Sequence, residues 1–111
     1  MRTIVLKTDG TFQETEIQTS VKPLEQVIGG PLEGLTFAGH TDFILYLNET
    51  GKIQNLPPNT QAILFCLEFV EEIDLIRGDA VICGLDTEGA SCDLTDEQVE
   101  MFMNILQDLP E

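Results

Sequence analysis

One run of residues constrains this fold more than any other: Asp42-Phe43-Ile44-Leu45-Tyr46-Leu47-Asn48. Side chains on a strand alternate between two faces. Here both faces are apolar, so the strand belongs in the middle of a sheet rather than at its edge.

The rest of the chain supplies its companions. Thr3-Ile4-Val5-Leu6-Lys7-Thr8 and Thr11-Phe12-Gln13-Glu14-Thr15-Glu16-Ile17 are rich in strand-forming residues. Asp9-Gly10 between them predicts a hairpin with a type I′ turn, whose two central residues have positive φ. Glu14 and Glu16 share one side of the second strand, which marks that side as solvated. Asn48-Glu49-Thr50-Gly51 reads as a turn. Lys52-Ile53-Gln54-Asn55-Leu56 then reads as the hairpin partner of the central strand, and Pro57-Pro58 stops it. Ala80-Val81-Ile82-Cys83 is a short strand closed by Gly84.

Three segments read as helices. Pro23 opens a short one with Leu24, Val27 and Ile28 on one face, and Gly29-Gly30-Pro31 ends it. Asn59 can cap a second, starting near Thr60. Ala62-Ile63-Leu64-Phe65-Cys66-Leu67 is apolar all round, so periodicity alone leaves residues 62–70 open between buried helix and buried strand. The Pro-Pro-Asn start favours helix. The third is the clearest. Thr95-Asp96-Glu97-Gln98 is a capping box, and Asp96 and Glu97 suit the positive end of the helix dipole. Val99, Phe102, Met103 and Leu106 form its apolar stripe. The order β-β-α-β-β-α-β-α predicts an α+β fold. It is a small, mostly antiparallel sheet of about five strands with two or three helices on one face. Residues 1–111 read as a single domain, without repeat or linker.

Charge is the largest compositional anomaly. Twenty acidic residues face five basic ones, for a net charge of −15. Residues 68–111 hold thirteen of the acids and only Arg77 as a base. Nucleic acid and anionic membrane surfaces are repelled by such a chain. A basic protein surface is attracted, in a salt-dependent way. At 42% hydrophobic the chain is too apolar for an acidic disordered tail.

Cys66, Cys83 and Cys92 are odd in number and lack C-x-x-C spacing, and His40 is the only histidine. No metal site and no cofactor is indicated, and the thiols fit a reducing, cytoplasmic setting. No catalytic residue is indicated either. His40 stands between Gly39 and Thr41 with no nucleophile signature near it. The acidic groups match no calcium-binding loop.

Three stretches, taken in order, carry a family resemblance. They are Gly51-Lys52-Ile53-Gln54-Asn55-Leu56-Pro57-Pro58-Asn59, Ile76-Arg77-Gly78-Asp79-Ala80-Val81-Ile82-Cys83-Gly84 and Leu94-Thr95-Asp96-Glu97-Gln98-Val99, preceded by Val27-Ile28-Gly29-Gly30. Together they resemble an uncharacterised family of small phage, plasmid and bacterial domains of unknown function. The resemblance spans nearly the whole chain. It implies a compact α+β domain and a phage or mobile-element origin, and no activity.

Two functional expectations follow. The first is a non-enzymatic acidic binding protein, an inhibitor or decoy of a host protein such as a defence factor. Glu68, Glu71, Glu72, Asp74, Asp96, Glu97 and Glu100 would face a basic groove. A carboxylate spacing that mimicked phosphates would direct it to a nucleic-acid-binding enzyme. The second is a small-molecule binder that sequesters a nucleotide-like signal or metabolite, with Arg77 and Gly78 at the ligand. Exposed strand edges leave a homodimer open without selecting it.

Overall fold

The computed structural model describes residues 1–18 and 20–110. Its strands are β1 (Arg2–Leu6), β2 (Phe12–Glu16), β3 (Leu32–Phe37), β4 (His40–Asn48), β5 (Ala80–Leu85) and β6 (Ser91–Cys92). Its helices are α1 (Val21–Ile28), α2 (Thr60–Cys66) and α3 (Asp96–Asp108). The sheet runs β2-β1-β5-β4-β3, with β6 pairing the end of β5, and its strand pairs are all antiparallel. The α+β class is as expected, with six strands in place of about five.

Strand β4 is interior, flanked by β5 and β3. Its two apolar faces meet two cores. Phe43 and Leu45 join Ile4, Leu6, Ile82, Phe65 and Phe102 under α2 and α3. Ile44 and Tyr46 pack with Val5, Val81 and Cys83 under Leu24 and Ile28 of α1. Helices therefore cover both faces: α2 and α3 share one, and α1 takes the other. A sheet apolar on both sides requires this cover.

Two local expectations are corrected. The partner of β4 across its hairpin precedes it: β3 pairs β4 from Leu32↔Asn48 to Phe37↔His40. Residues 51–55 instead coil into turns, with Gln54 N–H donating to Thr50 O at 2.9 Å and Leu56 N–H to Gly51 O at 3.0 Å. Close packing imposes the coil: a Cβ on Gly51 would lie 2.5 Å from the Arg77 carbonyl oxygen. The β1–β2 hairpin is real, but its turn is not type I′. Gly10 N–H donates to Lys7 O, and of the central residues only Gly10 has positive φ. That is a turn followed by a left-handed glycine, the usual three-residue hairpin loop.

The expected helices form. The Thr95 hydroxyl accepts from Gln98 N–H at 3.1 Å, and the Gln98 side chain accepts from Thr95 N–H at 2.9 Å. The Gln98 amide also donates to the Asp42 carbonyl at 2.9 Å, tying α3 to the start of β4. Residues 60–66 are helical, with Asn59 Oδ1 accepting from Ala62 N–H at 3.1 Å. Buried Ala62, Phe65 and Cys66 form the inner side of α2.

Candidate functional site

The chain from α2 to β5, residues 67–79, is the longest stretch without helix or strand among the described residues. Irregular segments of this length are uncommon in compact domains and are usually either functional or linker segments. It is pinned at two points. The Phe69 ring sits 5.1 Å from Phe43 and 5.2 Å from Phe65, centroid to centroid. Ile76 is buried, and its carbonyl accepts from Asn59 N–H at 2.8 Å. Between these anchors Glu71, Glu72, Asp74 and Leu75 are exposed, and Leu67 and Glu68 are exposed just before them. Charge and exposed apolar surface therefore alternate along one loop.

The seven carboxylates expected to face a partner are all exposed, but they form two groups. Asp96, Glu97 and Glu100 lie on α3, whose first turn docks at the start of β4. Asp96 pairs with Arg2, whose own pKa is held up by Asp96 first and Glu14 second. Asp74 lies past the far end of β4, paired with Lys52 in the turn that follows that strand. The Lys52 ammonium, with help from Leu75 N–H, holds the Asp74 carboxyl below its usual range.

Beside Asp74 is a groove of about 260 Å³. Glu33 and Leu35 of β3, Leu47 of β4, Glu49, Lys52 and the segment from Ile73 to Arg77 line it. Arg77 is half-buried, and its Nη1 donates to the Leu56 carbonyl at 2.9 Å. Gly78 is buried with φ +92°, and a Cβ there would meet Leu56 Cδ1 at 2.9 Å. Of the residues expected at a ligand, Arg77 therefore lines a groove, while Gly78 shapes the backbone beneath it. Glu33, Leu35 and Glu49 were not among the expected site residues. The usable signal was Leu35-Thr36-Phe37 followed by Ala38-Gly39, a strand and turn leading directly into β4.

His40 is exposed, its ring 5.0 Å from Phe69 and 6.2 Å from Phe43 at the edge of the aromatic core. Among the described residues no group of three His, Cys, Asp or Glu side chains is placed to hold a metal ion. No helix among them is long and apolar enough to cross a membrane.

The three cysteines are free. Burial pushes the Cys66 and Cys83 thiols up to about 12. Cys92 is half-buried, and its thiol is also raised, first by burial and then by Asp86 and Asp93. The thiolate is the reactive form, so none of the three is activated. At pH 8 the native protein should react with iodoacetamide at Cys92 alone, and slowly, whereas the unfolded chain should react at all three. Mass spectrometry counts the adducts. Rapid modification of Cys66 in the native protein would contradict the buried α2.

Fold and surface together define a small α+β domain with a two-sided core and a carboxylate-rich loop beside one sheet edge. The chain belongs to the family described as Domain of unknown function (DUF3846), whose model matches residues 1–107. No curated protein and no solved structure matches it.

Proposed function

We propose that this protein is a non-enzymatic, acidic binding protein that captures a basic protein surface. It acts as an inhibitor or decoy of a host protein such as a defence factor, in the host cytoplasm, with a phage or mobile element as its source. One observation carries this reading: the 67–79 loop presents Glu68, Glu71, Glu72 and Asp74 beside exposed Leu67 and Leu75, while Phe69 and Ile76 hold it to the core. Exposed carboxylates steer a basic partner, and exposed apolar side chains give the contact area to retain it. Asp96, Glu97 and Glu100 form a second patch that extends the same field. With a net charge of −15, nucleic acid and anionic membranes are poor partners.

The reading is tested by capture from host extract on immobilised protein, with Glu71→Gln, Glu72→Gln and Asp74→Asn combined. A basic partner should be retained at low salt, weakened by added salt, and lost with the triple variant. Capture that is unchanged by the variant defeats the reading.

Sequestration of a nucleotide-like signal has one supporting observation, the presence of Arg77 in the groove wall. Its guanidinium is engaged by the Leu56 carbonyl, and Glu33, Glu49 and Asp74 around the groove oppose a phosphate. Thermal-shift screening separates the two. A nucleotide at about 100 times its Kd adds about 2.7 kcal/mol to stability, and such a shift favours sequestration.

A further inference from the structure

We infer that the free edge of β3, together with the adjoining groove, takes an extended segment of a protein partner that carries lysine or arginine at alternate positions. This rests on the basic-partner reading and adds to it the place and the form of the contact.

Three observations converge. Among the described residues β3 ends the sheet, paired only with β4, and its register is regular from Leu32 to Leu35. An unpaired edge of this kind accepts a further strand through main-chain hydrogen bonds. Glu33 and Leu35, two residues apart on one face of β3, both line the groove, so alternate side chains of an added strand would lie beside it on that face. Its walls combine aliphatic Leu35, Leu47 and Ile73 with carboxylates of Glu33, Glu49 and Asp74. A lysine or arginine side chain matches both parts, with its methylene stem on the apolar wall and its charged head at the carboxylates.

The charge balance selects this occupant. Lys52 is already paired with Asp74, and Arg77 keeps its charge while it donates to the Leu56 carbonyl, so Glu33, Glu49 and Asp74 against these two bases leave the groove a net charge of −1. Glu33 and Glu49 have no cation within ion-pair distance among the described residues. Glu71 and Glu72 stand exposed on the same loop. The opposite edge, β2, is different: Glu14 is paired with Arg2, and the Asp9 carboxylate is held by Thr11. A second copy of the chain is a poor occupant, because it brings a like charge of −15 against Glu33 and Glu49.

The probe is a short synthetic peptide in which lysine alternates with valine, titrated into the isotope-labelled full chain and followed by amide NMR. Shift changes should concentrate in Leu32–Phe37, Glu49 and Ile73–Arg77, and β3 amides should gain protection from hydrogen exchange. Glu33→Lys with Glu49→Lys should weaken binding about tenfold, equivalent to about 1.4 kcal/mol. Glu88→Lys with Asp108→Lys makes the same change in net charge away from the groove and should have a far smaller effect. Both double variants change exposed positions, so unaltered melting curves confirm that each remains folded. The inference is overturned by shifts centred elsewhere, by equal weakening in the two double variants, by concentration-dependent dimerisation through β3, or by no saturable binding. Should the triple variant of the loop abolish capture from extract while the peptide maps elsewhere, the basic-partner reading stands and the β3 site falls. Should capture ignore the loop charges, the broader reading falls whatever the peptide does.

Discussion

Phe102→Ala should lower stability by about 3–5 kcal/mol, a large part of what holds a domain of this size together. Phe102 is fully buried, with its ring centroid 4.8 Å from Phe43 and 5.5 Å from Phe65. It joins α3 to the sheet and to α2 at once. Truncation removes the ring's transfer free energy and leaves a cavity among aromatic rings that cannot fully collapse. The loss also reaches the functional loop, because Phe69 lies 6.3 Å from the same ring. Thr95→Ala is the comparison within the same helix. It deletes the hydroxyl that caps Gln98 N–H and should cost only about 1 kcal/mol. Urea melts rank the two. An equal cost would mean that α3 is held by its cap rather than by its apolar stripe.

The elements that were legible in the sequence are those whose evidence is local. The capping box needs only four adjacent residues, and it forms. The all-apolar run at Ala62–Leu67 was ambiguous on periodicity but not on context, because Asn59 following Pro57-Pro58 sets a helix start. The β4 strand declared itself by composition. Its partner did not. β3 is preceded by Pro31 and interrupted by Gly34, which leaves only the short run Leu35-Thr36-Phe37 as its strand signal. The Ile53 and Leu56 segment looked the better hairpin partner, yet Ile53 is 87% exposed. That segment is coiled by contact between Gly51 and the Arg77 carbonyl, residues remote in sequence. The site follows the same rule. Its acidic composition was visible, but the groove was not, because Glu33, Glu49 and Asp74 come together only through the fold.

The stretches that carry the family resemblance also gain a physical account. Leu56, Pro57, Pro58 and Asn59 lie against Ile76, Arg77 and Gly78. Gly78 N–H donates to Pro57 O at 2.9 Å, Asn59 N–H to Ile76 O at 2.8 Å, and Pro58 bridges Arg77. This junction fixes the C-terminal end of the 67–79 loop, where β5 follows, and the start of α2, the helix from which the loop leaves. The motif residues in it support the candidate surface from below, and two of them, Ile76 and Arg77, also line the groove.

Asn59→Ala should therefore cost as much as losing the aromatic ring, about 3–5 kcal/mol. Asn59 is fully buried and uses its whole amide. Its Nδ2 donates to the Leu6 and Gly78 carbonyls, each at 3.0 Å, and its Oδ1 accepts from Ala62 N–H at 3.1 Å. One side chain thus ties β1, the Arg77–Gly78 junction and the start of α2. Alanine removes the side-chain partner of two carbonyls and one N–H at a fully buried position. Each such group costs about 1–3 kcal/mol, and the lost cap is counted among them. Asn59→Asp separates the roles. The carboxylate keeps the cap but cannot donate, and it sets a buried negative charge against two carbonyl oxygens. Its pKa must rise above the unfolded value of about 3.9. The deficit is then largest at neutral pH and shrinks as pH falls through the raised pKa, because the protonated acid can donate one hydrogen bond again. Urea melts of both variants across pH, with exposed Asn104→Ala on α3 as reference, read the effect. An Asn59→Ala cost within about 0.5 kcal/mol of that surface reference would remove Asn59 as the centre of the junction. The loop would then owe its position to Phe69 and Ile76 alone.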